Sequence, residues 1–219
     1  MRDEDFDYFI ANFGEATYRA VTPQTAVERW RSKLPDRLLG YWTDEGWSGY
    51  ASGLFWFVDP DDYEDLVDEW LDGTRLDEVD AFHAIARTAF GELFLFGEST
   101  GRSVKISCAT HAVFVRDLTK KVPQKLDLSL RAFIGMGKDA CDLKDESGMP
   151  LFDRALRALG ALGPDEMYGF EPAIILGGKM LLENLHKVKL DHHLTILRQL
   201  APPTMPFSNV DIEKLIAKK

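Results

Sequence analysis

The chain has 219 residues, of which 45% are hydrophobic and 28% are charged, and its formal net charge is −10. This length and composition predict a folded protein of one large or two modest domains. The acidic start at residues 1–5 and the absence of a long apolar run exclude a secretory signal and a membrane-spanning helix, so we expect a cytoplasmic protein without a membrane partner. Cys108 and Cys141 are too few for a disulfide framework and are expected to be free thiols.

The negative charge is concentrated in the first part of the chain. Residues 1–80 carry 20 acidic and 7 basic side chains, whereas residues 81–219 carry 16 acidic and 19 basic ones. Because binding to phosphates needs clustered Lys and Arg, we expect no direct contact with nucleic acid. A basic partner is the natural counterpart of the acidic part.

Three helices are predicted near the start of the chain. Apolar residues at helical spacing predict a first helix that ends at Gly14. Thr22, followed by Pro23, predicts the N-cap of a second helix, and residues 38–42 predict a short third one. The glycine-rich segment 44–50 is predicted to be a loop.

The predicted loop contains three candidate residues for partner binding. Trp47 and Tyr50 alternate with glycines, and Glu45 adds a negative charge. Aromatic side chains on a loop can anchor a bound partner, so Glu45, Trp47 and Tyr50 are candidate contact residues. The alternative is that the aromatic side chains pack inward and fix the loop.

A buried strand and an acidic helix follow this loop. The apolar run 54–58 predicts a strand that is buried on both faces. Asp59 as N-cap and Pro60 at the first helical position predict a helix that ends at Gly73. The face opposite its apolar stripe is acidic, and a solvated surface is the alternative to partner binding there. The candidate partner-binding residues on this face are Asp61, Asp62, Asp65, Asp68, Glu69 and Asp72.

The rest of the sequence predicts a sheet that is followed mainly by helices. Four extended runs between residues 82 and 116, separated by turn residues, predict an antiparallel meander. The polar residues 119–125 suggest a boundary between domains of residues 1–119 and 120–219. In the second domain, the sequence predicts helices at 126–134, 150–160, 190–200 and 210–217 and an extended segment at 168–176. The fold class is therefore α+β, a mostly antiparallel sheet packed with helices and followed by a smaller, helix-rich α/β domain.

The sequence contains no motif for catalysis, cofactor binding or metal binding. An EF-hand loop starting at Asp59 would need glycine at position 64 and glutamate at position 70, where the chain has Glu64 and Trp70. The three histidines within 186–193 lack a standard zinc spacing, and neither a phosphate loop nor a nucleophile elbow is present. We therefore expect no catalytic residue, cofactor or metal, and a protein that is not an enzyme. A carboxylate-dependent hydrolase is the enzymatic alternative.

Two groups of motifs resemble known protein families. LPDRLLGYW at 34–42 and ARTAFGEL at 86–93 resemble the GAD-like domain. PLFDRAL at 150–156 and LGPDEMYGF at 162–170 resemble the C-terminal domain of type VI secretion immunity proteins. Their order is that of immunity proteins paired with type VI DNase toxins.

The resemblance implies a protein that binds and neutralises a cognate DNase toxin. Its acidic surface would meet the basic DNA-binding surface of that toxin and block both this surface and the active site. The name of the GAD-like domain implies no decarboxylase activity. The alternatives are an SMI1/KNR4-like binding scaffold and an immunity protein for a toxin that is not a nuclease.

Overall fold

The structure is a computed structural model that describes residues 2–206 and 212–216, and its main element is a seven-stranded antiparallel sheet. Its strands lie side by side in chain order, so each pairs with the one before it. The strands are β1 (Tyr18–Ala20), β2 (Trp47–Tyr50), β3 (Phe55–Phe57), β4 (Phe82–Thr88), β5 (Glu92–Gly97), β6 (Gly101–Ser107) and β7 (Ala112–Val115). A second sheet pairs β8 (Glu166–Phe170) with β9 (Leu185–Lys189), also antiparallel. The predicted α+β class and the meander of residues 82–116 are confirmed.

Eight α-helices accompany the strands in the described residues. They are α1 (Glu4–Phe13), α2 (Gln24–Trp30), α3 (Asp36–Glu45), α4 (Glu64–Leu71), α5 (Pro123–Ile134), α6 (Phe152–Leu159), α7 (Leu190–Leu200) and α8 (Ile212–Ile216). Every predicted helix has a counterpart, although 210–211 and 217 of the last one lie outside the described residues. Within the described ranges, no helix combines the length and the apolar character needed to cross a bilayer.

The helices cover both faces of the large sheet. Phe9 of α1 packs against Phe55 with 5.4 Å between ring centroids, and Phe133 of α5 lies 5.4 Å from Phe94. Because side chains alternate along a strand, Trp56 points to the opposite face, where the Arg87 guanidinium lies 4.7 Å from its ring centroid. Helices α4 and α7 pack together on this second face.

The two sheets are separate, but they share one hydrophobic core. The buried cluster runs from α1 through the large sheet to α7 without interruption. The backbone N–H of Tyr168 in β8 donates to the carbonyl of Ala89 at 2.8 Å, directly after β4. Buried Arg87 donates to the carbonyl of Pro164 at 2.7 Å. The C-terminal region therefore completes the core of the N-terminal one.

Segment 44–50, predicted as a loop, forms regular structure instead. Asp44 and Glu45 end α3, and the following residues form β2, with Gly49 opposite Tyr18 of β1. Gly46 ends α3 with a φ of +76°, a conformation that favours glycine. A Cβ on Gly49 would lie 2.8 Å from the Trp56 ring, so close packing rather than loop flexibility requires this glycine.

Two smaller predictions were also wrong, and one strand was missed. Pro23, not Thr22, is the N-cap of α2, and Thr22 is buried. The extended segment predicted at 168–176 ends at Phe170 in β8, and Ile174–Leu176 form a 3-10 turn. Strand β9 was not predicted, because only the first of its side chains is fully buried.

Candidate partner-binding surface

Helix α4 has one apolar and one acidic side. Trp70 and the other residues of its apolar stripe are buried against β4 and α7. Residues four apart lie above each other on a helix, so the acids form two adjoining rows. The first row is Glu64 and Asp68 followed by Asp72, the C-cap residue, and the second row is Asp65 and Glu69.

The first row forms one wall of a groove with a volume of about 680 Å³. The opposite wall is the segment that leads from α4 back to β4. Six carboxylates line this acidic groove: Glu64, Asp68, Asp72, Asp77, Glu78 and Asp80. Arg75 and His83 are its basic residues. Four of the six were not among the predicted contact residues: Glu64, Asp77, Glu78 and Asp80. Folding therefore concentrates more negative charge here than the helix alone provides.

Two of the groove carboxylates serve the local structure. Buried Asp80 accepts hydrogen bonds from the backbone N–H groups of Ser99 and Thr100, at 3.0 and 2.8 Å. Glu78 forms an ion pair with Arg75, with 2.6 Å between Oε1 and Nε. Asp72 pairs with Arg198, with 3.8 Å between Oδ2 and Nη2. Glu64, Asp68 and Asp77 are exposed, and none of them forms an ion pair with any residue that the structure describes. These unpaired acids are the ones that can attract a partner.

The other predicted acids lie just before the groove or beside it. Asp61 pairs with Arg29 of α2, and Asp62 is exposed. In the second row Asp65 is exposed and Glu69 is half-buried. The helix face is thus acidic as predicted, but only Asp68 and Asp72 of the six candidates line the groove.

The C-terminal region holds α4 in place. The indole Nε1 of Trp70 donates to the carbonyl of Leu194 in α7 at 3.2 Å. Arg198 donates from Nε to the carbonyl of Glu69 at 2.8 Å and from Nη2 to that of Asp72 at 3.3 Å. The last carbonyls of a helix lack partners within the helix and carry partial negative charge, so an arginine there stabilises the helix end. The groove wall thus depends on α7.

Asp59 caps the turn that leads into α4. Its carboxylate accepts a hydrogen bond from the backbone N–H of Asp61 at 3.1 Å, as the predicted N-cap role requires, although the first turn is 3-10 rather than α-helical. Burial, together with the neighbouring charge of Asp62, raises the pKa of Asp59 to about 6.

The three candidate residues of segment 44–50 point inward. Glu45 is 7% exposed, and its carboxylate pairs with Arg2 at 2.6 Å and with Arg19 at 2.7 Å. Tyr50 is fully buried and lies 4.9 Å from the Phe9 ring, and burial raises the pKa of its hydroxyl. Trp47 is half-buried beside Trp42. This is the inward packing that the sequence left open as the alternative, so the exposed acids among the candidates lie on and around α4 rather than in this segment.

No group of three or more His, Cys, Asp or Glu side chains in the part of the chain that is described is arranged to hold a metal ion. Cys108 and Cys141 are free and fully buried. Burial raises the pKa of the Cys141 thiol to about 12 and that of Cys108 well above its ordinary value. Neither thiol is therefore activated as a nucleophile.

Sequence reasoning missed the second wall of the groove. Asp77 and Glu78 lie in the segment between α4 and β4, to which no element or role was assigned. Their signal was present, because four acids fall within residues 72–80. What the sequence does not give is the turn that brings this segment back alongside α4.

The structure is that of an α+β protein with an acidic groove, and comparison with known proteins assigns the family. Residues 4–110 match the GAD-like domain, and residues 127–201 match the family described as T6SS immunity protein Tdi1, C-terminal. The chain belongs to the two-domain type VI secretion immunity proteins, and this membership supports an immunity role.

One solved structure supports the fold over almost the whole chain. The crystal structure of Atu4351 from Agrobacterium tumefaciens superposes with a TM-score of 0.80 at 25% sequence identity. The match covers 93% of this chain and 94% of that one, so both domains and their arrangement are shared. No curated protein matches the chain significantly.

Proposed function

We propose that this chain binds and neutralises a cognate type VI secretion DNase toxin in the cytoplasm, and that the acidic groove covers the toxin's DNA-binding surface. The observation that carries the proposal is the groove itself, six carboxylates against one arginine and one histidine, in a chain with a type VI immunity domain. The toxin's active site is blocked because the bound protein excludes DNA from it.

The physical argument starts from what a DNase requires. It must present clustered positive charge to the phosphates of DNA, and an acidic protein can occupy the same surface. Opposite charges also steer the two proteins together, which raises the association rate above that of neutral partners. Exposed Asp68 and Asp77 stand on opposite walls of the groove, so a basic side chain between them meets negative charge on both sides.

The fixed backbone of the groove supports the same proposal. Arg198 and Trp70 hold α4 on α7, and Asp80 fixes the segment that leads into β4. A preorganised charged surface loses less conformational entropy on binding than a flexible one. The C-terminal region thereby contributes to toxin binding even where it does not touch the toxin.

Charge reversal in the groove tests the proposal, with the cognate toxin captured by pull-down as the binding partner. The triple variant Glu64→Lys, Asp68→Lys, Asp77→Lys is compared with Asp127→Lys, Asp153→Lys, Glu183→Lys, which makes the same charge change at exposed sites elsewhere. We expect the groove variant to associate at least about tenfold more slowly at low salt, to lose competition with DNA, and to protect cells poorly.

The control variant should associate at nearly the wild-type rate, because its substitutions lie outside the groove. Equal association rates for both variants would contradict the groove as the binding surface. Tight binding to a neighbouring toxin without nuclease activity would contradict the DNase part of the proposal and favour an immunity protein of another specificity.

A further inference from the structure

A second cavity, on the opposite face of the large sheet, has the reverse charge. It has a volume of about 460 Å³ and opens between β5–β7 and the chain that follows α5. Three cations line it, Arg102, Lys105 and Arg116, together with the aromatic rings of Phe94 and Phe114. This cationic cavity is opposite in sign to the chain as a whole, whose net charge is −10.

Strand register explains why these side chains meet. Lys105 of β6 lies opposite Phe94 of β5 on one side and opposite Phe114 of β7 on the other, so the three point to the same face. The backbone N–H of Arg116 donates to the carbonyl of Ser103 at 2.8 Å, which extends the ladder by one residue pair. Arg116 follows Phe114 by two positions and therefore lies on the same face. The cations are therefore held by regular backbone structure.

The positive charge of the cavity is only partly neutralised. Lys105 pairs with Glu92 at 2.6 Å. Arg102 and Arg116 form no ion pair with any carboxylate in the described residues. The Arg102 guanidinium instead lies 5.7 Å from the ring centroid of Phe94 and 5.4 Å from that of Phe133.

The position of Arg102 is energetically unfavourable for a charged side chain. Burial lowers the pKa of its guanidinium, and the charge of Arg116 lowers it further. Aromatic rings compensate a desolvated cation only in part, whereas a carboxylate or phosphate matches the planar fork of a guanidinium with two hydrogen bonds. An anion in the cavity would satisfy both arginines at once.

We propose that this cavity binds a small organic anion. Arg102 and Arg116 hold its carboxylate or phosphate group, and Phe114 contacts its apolar part. The mixture of an apolar lining with a few convergent polar groups is typical of small-molecule sites. This site is independent of the acidic groove, so it adds a ligand to the protein beyond the proposed toxin.

Matched aromatic probes test the site by amide chemical shifts in the full chain. Phenyl phosphate and benzoate carry the two anionic groups, and benzamide is the neutral control. We expect saturable shifts at Lys105, Phe114 and Arg116 with at least one anion, with a dissociation constant on the order of 1 mM, and none with benzamide. Saturation by one anion alone identifies the group that the site prefers.

Two substitutions separate recognition from folding. Arg116→Gln removes an exposed charge and should weaken anion binding about tenfold, whereas Arg157→Gln, at an exposed site on α6, should leave it unchanged. The groove variant at Glu64, Asp68 and Asp77 should bind the anion normally, so the two proposals can fail separately. Absence of saturation with both anions, equal binding of benzamide, or equal effects of the two arginine substitutions would overturn the anion site.

Discussion

Two segments of this chain carry similar sequence signals and fold in opposite ways. Segment 44–50 and segment 59–72 both combine acids with aromatic residues, and both were candidates for partner binding. In the first, Glu45 and Tyr50 are buried and Glu45 is already paired with two arginines. In the second, the aromatic residues Tyr63 and Trp70 are buried while most of the acids remain exposed.

The difference lies in the periodicity of the two segments. A strand that is covered on both faces leaves no side free for solvent, so β2 turns nearly all of its side chains inward. A surface helix separates its apolar stripe from its polar face, so α4 can contribute Trp70 to the core and Asp68 to the surface. An acid attracts a partner only where the fold leaves it unpaired.

Removal of Tyr50 should have the largest effect on stability. Tyr50→Ala empties a site among packed aromatic rings, and we expect the free energy of unfolding to fall by about 3–5 kcal/mol. Tyr8→Ala makes the same substitution at a position that is 57% exposed and should change stability by less than about 0.5 kcal/mol. Denaturant titration measures both. A stable Tyr50→Ala protein with weakened toxin binding would instead make segment 44–50 a binding site.

Neutralisation of Glu45 should have the next largest effect. Glu45→Gln keeps the side-chain shape but leaves Arg2 and Arg19 without their shared carboxylate, so we expect a loss of about 2 kcal/mol. Glu28→Gln, on the exposed face of α2, serves as the control and should be nearly neutral. The two variants should bind the toxin equally well at a temperature where both are folded. A specific loss of affinity in Glu45→Gln would contradict a purely structural role.

The third expected effect concerns the attachment of α4, with its exposed acids, to α7. Arg198→Ala removes two hydrogen bonds to the end of α4, and we expect a loss of about 1 kcal/mol. Amide hydrogen exchange should become faster in the last turn of α4, next to Asp68 and Asp72 of the groove. Arg157→Ala on α6 is the matched control. Unchanged exchange in α4 would show that Trp70 alone fixes the helix.

Local patterns made most of the fold predictable from the sequence. The meander of residues 82–116 was predicted because each strand is a short apolar run between turn residues. Helix α4 was predicted from Asp59, Pro60 and the apolar spacing that follows. The failures depended on distant contacts. In the sequence, Gly49 suggests a flexible loop, whereas in the structure the Trp56 ring packs closely against it. Strand β9 has too few buried side chains to show a strand pattern.

The candidate surface was predictable only in part, for the same reason. The acids of α4 follow from helical spacing, but the second wall of the groove, including Asp77, is placed by the return of the chain to β4. The sequence also does not reveal which charged side chains pair with each other, since Arg29, which neutralises Asp61, lies 32 positions earlier. The domain boundary at residues 119–120 stays a prediction. Because the core is continuous across it, the two halves are best tested together.

The smallest expected effect concerns pH and Asp59, which joins the buried strand to the acidic helix. Its pKa of about 6 lies above the ordinary aspartate value near 3.9, so folding favours the protonated form. That contribution to stability is fully present below about pH 4 and is lost as pH rises through about 6. Asp59→Asn lacks this titration. Wild type should therefore lose on the order of 1 kcal/mol relative to the variant between pH 4 and pH 7, after allowance for solvent screening. Denaturant titrations at both pH values measure the difference, and parallel pH profiles for the two proteins would show that Asp59 titrates as it does in the unfolded chain.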